Sequence, residues 1–356
     1  MKTIWCTGIA GVLVLSAGVA AQQQAASDCS PAGDVRFVCG LQAPEDLVVV
    51  PGDRWVVASA YSGSGGVYLI RVSDRSSRVA YPAANATERL DARTYNTCPG
   101  PPDAATKAKF QTHGLYLHEG DDSVHRLYVV LHGGRESVEV FELDARPETP
   151  VLTWIGCAIA PEPIGLNSVR GLPDGGFVAT DFLARGGAPD AMKRMMSGER
   201  NGALWEWRTA TGWQKVPGSE AAGANGLEIS DDGRWFYVAA WGSQSFFRLS
   251  RGQAQVTRQE VPLGFRVDNV RWARDGSLLA AGQGPAAPAA APRTGAPGAQ
   301  ASIVVKVDPG TLAVREVLRH PNTPAFGAGT VAVEIGRDYW VGSFRGDRLA
   351  IFPAAR

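Results

Sequence analysis

Histidine and cysteine are scarce in this 356-residue chain, at five each. Charge of one sign is missing too: 35 Lys and Arg offset 35 Asp and Glu. A zero balance argues against bulk electrostatic binding to nucleic acid and against a polybasic membrane anchor. Beyond the N-terminus no apolar run reaches the roughly 18 residues expected of a membrane span. There is no Cys-x2-Cys pair, which disfavours a structural zinc site. Gly-x-Ser-x-Gly, His-Glu-x-x-His and the phosphate-loop pattern are all absent, so the familiar local signatures of serine esterases, zinc peptidases and nucleotide hydrolases are missing.

What is abundant is glycine, with 42 residues, together with 23 prolines and 10 tryptophans. The chain is 45% hydrophobic and 20% charged, which is globular rather than disordered. Turn formers combined with aromatics favour an all-β chain.

Residues 1–21 read as a secretory signal. One lysine is followed by an apolar run from Ile9 to Ala20 and then small residues. The expected location is therefore secreted or periplasmic, with residues 22–38 as an N-terminal extension. Cys6 falls within the signal, leaving Cys29, Cys39, Cys98 and Cys157 in the mature chain. An even count in an exported protein points to two disulfides with three possible connectivities. The pairing Cys29–Cys39 with Cys98–Cys157 is favoured because Cys98 and Cys157 each sit just upstream of a similar strand motif.

Those motifs belong to a repeat. Six segments, beginning at Glu45, His113, Asn167, Asn225, Asp268 and Thr330, each show a short apolar strand, a turn and a second apolar strand. The turns carry Asp-Gly, Gly-Asp or Arg-Asp, which is hairpin chemistry. A third apolar segment follows each hairpin, as in Val138-Glu139-Val140-Phe141-Glu142-Leu143, and its alternation suggests a half-exposed outer strand. The starts lie 43 to 68 residues apart, a period that fits propeller blades with insertions. The expectation is one all-β domain over 39–354, a six-bladed β-propeller with a central metal-binding channel. A β-sandwich is the alternative. Two insertions stand out: Pro285–Gln300, an Ala/Pro/Gly run that reads as a surface loop, and a short helix over Pro189–Ser197 bearing Met192, Met195 and Met196. That helix is read either as an apolar lid or as a rim element.

In a propeller the first strand of each blade lines the channel, so residues at its start face the channel mouth. Here those positions bring Glu45, Asn167, Asn225, Asp268 and Asn269 to one axis. Two carboxylates and three amides form a hard-oxygen set suited to calcium, which takes about 6–8 oxygens. Asp268 and Asn269 are neighbours, and both reach one ion only where the backbone departs from a regular strand. Each residue alone is as readily a turn former or a strand cap.

His113 begins a channel strand and His132 ends the adjacent one. The pair is a candidate general base with its orienting partner, or two strand-end histidines. His118 and His125 flank a turn and read as surface residues. A zinc site from His113, His118 and His132 is a weaker possibility, because strand phase does not bring the three together.

Glu45-Asp46-Leu47, His113-Gly114-Leu115, the strand ending at His132, Asn167, Ala224-Asn225-Gly226 and Val267-Asp268-Asn269 follow one another in an order that resembles the paraoxonase (arylesterase) family. They also resemble the broader gluconolactonase and strictosidine-synthase-like propellers. The resemblance runs over most of the mature chain. It implies a catalytic calcium held by Glu45, Asn167, Asn225, Asp268 and Asn269, with His113 and His132 as the catalytic histidine pair. It also implies a second, structural calcium on Asp46 and the carbonyl of Leu115. Where the family has a further Asp for that second ion, this chain has Ser168. No cysteine follows Cys157, so the family's disulfide to the C-terminal end is absent.

The expected function is calcium-dependent hydrolysis of lactones or aryl esters, with a small-molecule substrate and no nucleic-acid partner. The alternatives are a gluconolactonase-type sugar-lactone hydrolase and a non-catalytic, calcium-stabilised propeller that binds a ligand or protein.

Overall fold

The computed structural model describes residues 28–286 and 299–354. The signal over residues 1–21 and most of the Pro285–Gln300 run lie outside the described residues. Among the described residues, no helix is long and apolar enough to cross a membrane.

Six sheets form the molecule, antiparallel throughout except where the short strand Thr87–Glu88 pairs parallel with Val151–Ile159. Their inner strands are Leu47–Val49, Gln111–His118, Leu166–Gly171, Ala224–Ile229, Arg266–Trp272 and Gly329–Ile335. Each inner strand packs against the next, and the last returns to the first. The result is the six-bladed β-propeller expected from the repeats. The sequence dictates this arrangement through burial on two faces. Strands such as Trp55–Ala58 and Phe177–Asp181 are buried along their whole length, because each middle strand is covered by the neighbouring blade on either side.

The third segments are not the outer strands that their alternation suggests. Ser137–Asp144 has Val151–Ile159 beyond it, and comparable fourth strands occur at Ser77–Tyr81, Gly212–Lys215, Arg258–Pro262 and Val314–Pro321. Gly212–Lys215, Arg258–Pro262 and Val314–Pro321 are short or largely polar and exposed, as edges that avoid pairing with other chains must be, whereas the largely buried Val151–Ile159 is capped by Thr87–Glu88. In the last blade the fourth strand is the N-terminal Arg36–Cys39, which pairs antiparallel with Arg348–Pro353 and places Val38 opposite Leu349. The ring is thus closed by strand pairing between the two ends of the chain. Residues 36–38, read from sequence as part of the extension, belong to the ring because this edge needs a partner. The two disulfides are Cys29–Cys39 and Cys98–Cys157, as favoured.

Glu139 shows how interior third strands accommodate polar residues. Its carboxylate is fully buried and accepts hydrogen bonds from Arg135 Nε and Nη2, Ser137 Oγ and Trp154 Nε1. Arg135 also donates to the carbonyl of Gly100. The network pins the turn between His132 and Ser137 to the loop carrying Cys98. Glu139→Ala leaves a guanidinium buried without its counter-charge, a change that typically costs about 3–5 kcal/mol. Denaturant unfolding is expected to register a loss of that order; an unchanged midpoint would mean the network is dispensable.

Candidate metal centre

Five of the six inner strands break register at one place. The shifts fall between Thr112 and Leu115, Leu166 and Val169, Ala224 and Leu227, Val267 and Val270, and Gly329 and Ala332. A bulge turns an extra residue out of the pleat, so two consecutive side chains turn toward the channel. Asp268 lines the channel cavity while its neighbour Asn269 reaches Glu45, which meets the geometric condition set by their adjacency. Two bulges contain glycine for want of space. A Cβ on Gly114 would strike the carbonyl of Asn167, and one on Gly226 would strike that of Asp268.

The bulges bring Glu45, Asn167, Asn225, Asp268 and Asn269 together, each no more than 7% exposed. Asn269 Nδ2 donates to Glu45 Oε1 at 2.6 Å, and Gln283 Nε2 donates to Asp268 Oδ2 at 2.9 Å. Four buried oxygens of this set have no hydrogen-bond partner among the described residues: Glu45 Oε2, Asn167 Oδ1, Asn225 Oδ1 and Asn269 Oδ1. Buried polar atoms are ordinarily paired, so four orphans at one spot form a cradle for a cation. Burial pushes Glu45 well above the usual carboxylate range, and the nearby charges of Asp268 and Asp46 push it further. Burial also raises Asp268, to about 7, against hydrogen bonds from Gln283 and Asn225. The donor set is hard oxygen throughout and fits calcium. Among the described residues no cluster of three or more His, Cys, Asp or Glu is arranged to hold a metal; this cradle contains two carboxylates and takes its other donors from amides. Thr330, at the sixth start, instead donates its hydroxyl hydrogen to the carbonyl of Glu45.

The two histidines meet beside the cradle. His113 Nδ1 lies 3.0 Å from His132 Nε2, and His132 Nδ1 lies 2.8 Å from Glu136 Oε2. Glu136 Oε1 accepts from the backbone N–H of Leu166. One proton arrangement satisfies the row: His132 donates from Nδ1 to the carboxylate, and His113 donates from Nδ1 to His132 Nε2. The lone pair of His113 is then on Nε2, which lies 3.4 Å from Asn167 Nδ2 and 3.7 Å from Glu45 Oε2. Burial, followed by the neighbouring His132, lowers the His113 pKa well below its usual value. Its imidazole is therefore neutral near pH 7, with an unprotonated nitrogen to accept a proton. Tyr61 packs over His113 with ring centroids 4.3 Å apart.

Above these groups is a cavity of about 430 Å³. Its walls include Leu166, Phe182, Leu183, Met192, Trp241 and Phe344. The helix Ala191–Met196 combines the two roles considered for it: Met195 is buried in the rim, while Met192 borders the cavity. A larger cavity of about 710 Å³ opens at the other end of the channel, and His118 lines that one. His118 is therefore at the opposite mouth from His113 and His132, which removes the three-histidine zinc reading. His125 is buried rather than on the surface, where it accepts from the backbone N–H of Gly120.

Asp46 and Leu115 do meet, but not around room for an ion. Asp46 Oδ1 accepts from the N–H of Leu47, and Oδ2 accepts from the N–H of Leu115. Arg271 Nη2 donates both to Asp46 Oδ2 and to the carbonyl of Leu115. The donors for a second calcium are thus already occupied, and these residues do not fit one.

Sequence reading passed over Glu136, Gln283, Tyr61 and Arg271. Glu136 had a usable signal, being four residues beyond His132. The others lie far in sequence from what they touch.

No protein-family model matches the chain, and no curated protein matches its sequence. Solved structures do match its shape. A luciferin-regenerating enzyme is 10% identical with a TM-score of 0.56, covering 90% of this chain and 94% of its own. The PQQ-bound aldose sugar dehydrogenase of Streptomyces coelicolor is 13% identical with a TM-score of 0.53, covering 92% and 100%. A streptogramin B lyase is 9% identical with a TM-score of 0.50, covering 90% and 97%. At such identities the likeness shows the propeller fold alone. The three proteins differ in chemistry, so function rests on the site rather than on the fold.

The raised carboxylates predict a pH signature. In the metal-free fold Asp268 stays protonated up to about pH 7, whereas in the unfolded chain it ionises near pH 4. Its contribution to stability is therefore full below about pH 4 and is lost as pH rises toward 7. Calcium binds the ionised form, so the rise in Tm on adding calcium is expected to be larger at pH 8 than at pH 5. A rise independent of pH would count against Glu45 and Asp268 as ligands.

Proposed function

We propose that the chain is a calcium-dependent hydrolase of lactones or aryl esters, exported to an oxidising compartment. One observation carries the reading: four buried oxygens with no hydrogen-bond partner among the described residues lie beside a histidine whose Nε2, 3.4 Å from Asn167 Nδ2, borders the same apolar cavity. Two disulfides support export, because such bonds persist outside reducing cytoplasm.

Glu45, Asn167, Asn225, Asp268 and Asn269 would hold the ion. Bound there, calcium supplies Lewis-acid polarisation of a carbonyl oxygen and a counter-charge for the oxyanion that forms. The remaining chemistry belongs to the protein. Glu136 fixes the tautomer of His132, and His132 in turn fixes that of His113. His113 Nε2 takes a proton from a water whose oxygen adds to the carbonyl carbon. The same proton passes to the departing alkoxide or phenolate as its C–O bond breaks. An ester yields an acid and an alcohol, and a lactone yields its hydroxy acid. Phe182, Trp241, Phe344 and Met192 offer an apolar wall to the acyl or aryl part of the substrate. This lining favours apolar lactones over sugar lactones.

The test is hydrolysis of a mixed panel by chelator-stripped protein, with and without added calcium. Activity is expected only with calcium, and faster on a long-chain lactone than on a sugar lactone. His113→Gln is expected to lower kcat by roughly 10²–10⁴-fold while the calcium-induced rise in Tm persists. Equal loss of both would make His113 structural. Folded, calcium-loaded protein that is silent across the panel would instead favour a binding module.

A further inference from the structure

Arg271 leaves the inner strand of the fifth blade and crosses the channel. Its Nε donates to the carbonyl of Leu47 at 3.1 Å and its Nη1 to the carbonyl of Val270 at 2.7 Å. Its Nη2 donates to the carbonyl of Leu115 at 2.9 Å and to the carboxylate of Asp46. The side chain is 9% exposed and that of Asp46 is 0% exposed. One guanidinium thus joins the first, second and fifth blades by four acceptors, three of them carbonyl or carboxylate oxygens of other blades.

We infer that the Arg271 guanidinium is a built-in cation that takes the place of a second metal ion on the channel axis. The charge balance is consistent. Asp46 is the one carboxylate that Arg271 meets, and the nearby Ser168 offers only a buried, uncharged hydroxyl with no partner among the described residues. One carboxylate against one guanidinium is neutral without a metal. The planar fork also suits several fixed oxygens at once, which a lysine ammonium does less well. The neighbouring layer repeats the device. Arg170 Nε lies 2.9 Å from Glu228 Oε2, joining the third and fourth blades, and the Arg170 guanidinium covers the Tyr116 ring of the second blade at 4.0 Å. Arg271 and Arg170 both line the cavity at the far mouth, and neither lines the cavity over His113. The arginine layer is therefore the floor of the proposed active site, and substrate reaches that site from one mouth.

The inference goes beyond the proposed hydrolysis and stands without it. Tightly held calcium is counted per chain by equilibrium dialysis, on chelator-stripped wild type and on Asp46→Asn. The expected count is one in both. A wild-type count of two that falls to one in Asp46→Asn overturns the inference. A count of zero in both would sink the metal reading of the Glu45 centre and leave Arg271 as the channel's own cation. If Asp46→Asn does not fold, wild type decides alone: none or one supports the inference, and two overturns it. A second readout needs no ion count. Arg271→Ala is expected to lower Tm by roughly 5–10 °C, as for loss of one partner of a buried ion pair. Millimolar methylguanidinium is expected to restore part of that loss, with no effect on wild type. An unchanged Tm in Arg271→Ala would overturn the inference.

Discussion

Four carboxylates buried in one narrow channel impose the constraint on which this structure turns. Glu45, Asp46, Glu228 and Asp268 are each no more than 7% exposed, and a buried charge persists only when paired, coordinated or protonated. The channel meets the demand in two layers. At the far layer arginines do it, Arg271 against Asp46 and Arg170 against Glu228. At the near layer no basic side chain among the described residues pairs with Asp268, and His113, which faces Glu45, is held neutral by burial. Burial raises all four carboxylates, but Arg271 and Arg170 oppose the rise only in Asp46 and Glu228 as ion-pair partners, and at the near layer an oxygen cradle is left for a cation. The division between the two layers follows from which carboxylates have a charged partner.

Backbone irregularity, rather than regularity, builds the layer around Glu45. The bulges recur at equivalent points of five blades, and each turns a side chain out of the pleat where the inner strands crowd together. The glycines at 114 and 226 let adjacent strands approach without a Cβ between them. Around this scaffold the row Glu136–His132–His113 is assembled from a turn, the end of one strand and the bulge of the next. Arg36–Cys39 completes the last blade, and the inner strand of that blade is tied to the first blade where Thr330 donates to the carbonyl of Glu45.

The architecture was legible because repetition is a sequence property. Six hairpins with turn chemistry at equivalent places could be aligned by eye, and the polar residues at their starts stood out against apolar strands. The outer strands were not legible: Arg258–Pro262 and Gly212–Lys215 carry polar, exposed residues that read as loop. Glu139 misled for the opposite reason. Its alternation with valine suggested a wet face, yet Arg135, Ser137 and Trp154 satisfy it in the interior.

Fold class and the set of residues brought to the channel mouth follow from local pattern and repeat phase, and the same pattern favoured one disulfide pairing of three. What those residues do to one another follows from contacts between blades. The orphaned oxygens, the lone pair on His113 and the capture of Asp46 by Arg271 all depend on side chains 19 to 225 positions apart. Spacing along a chain places residues on a strand, but it does not say which donor reaches a buried acceptor first. In this channel that competition makes one carboxylate part of the floor and leaves another free to hold an ion.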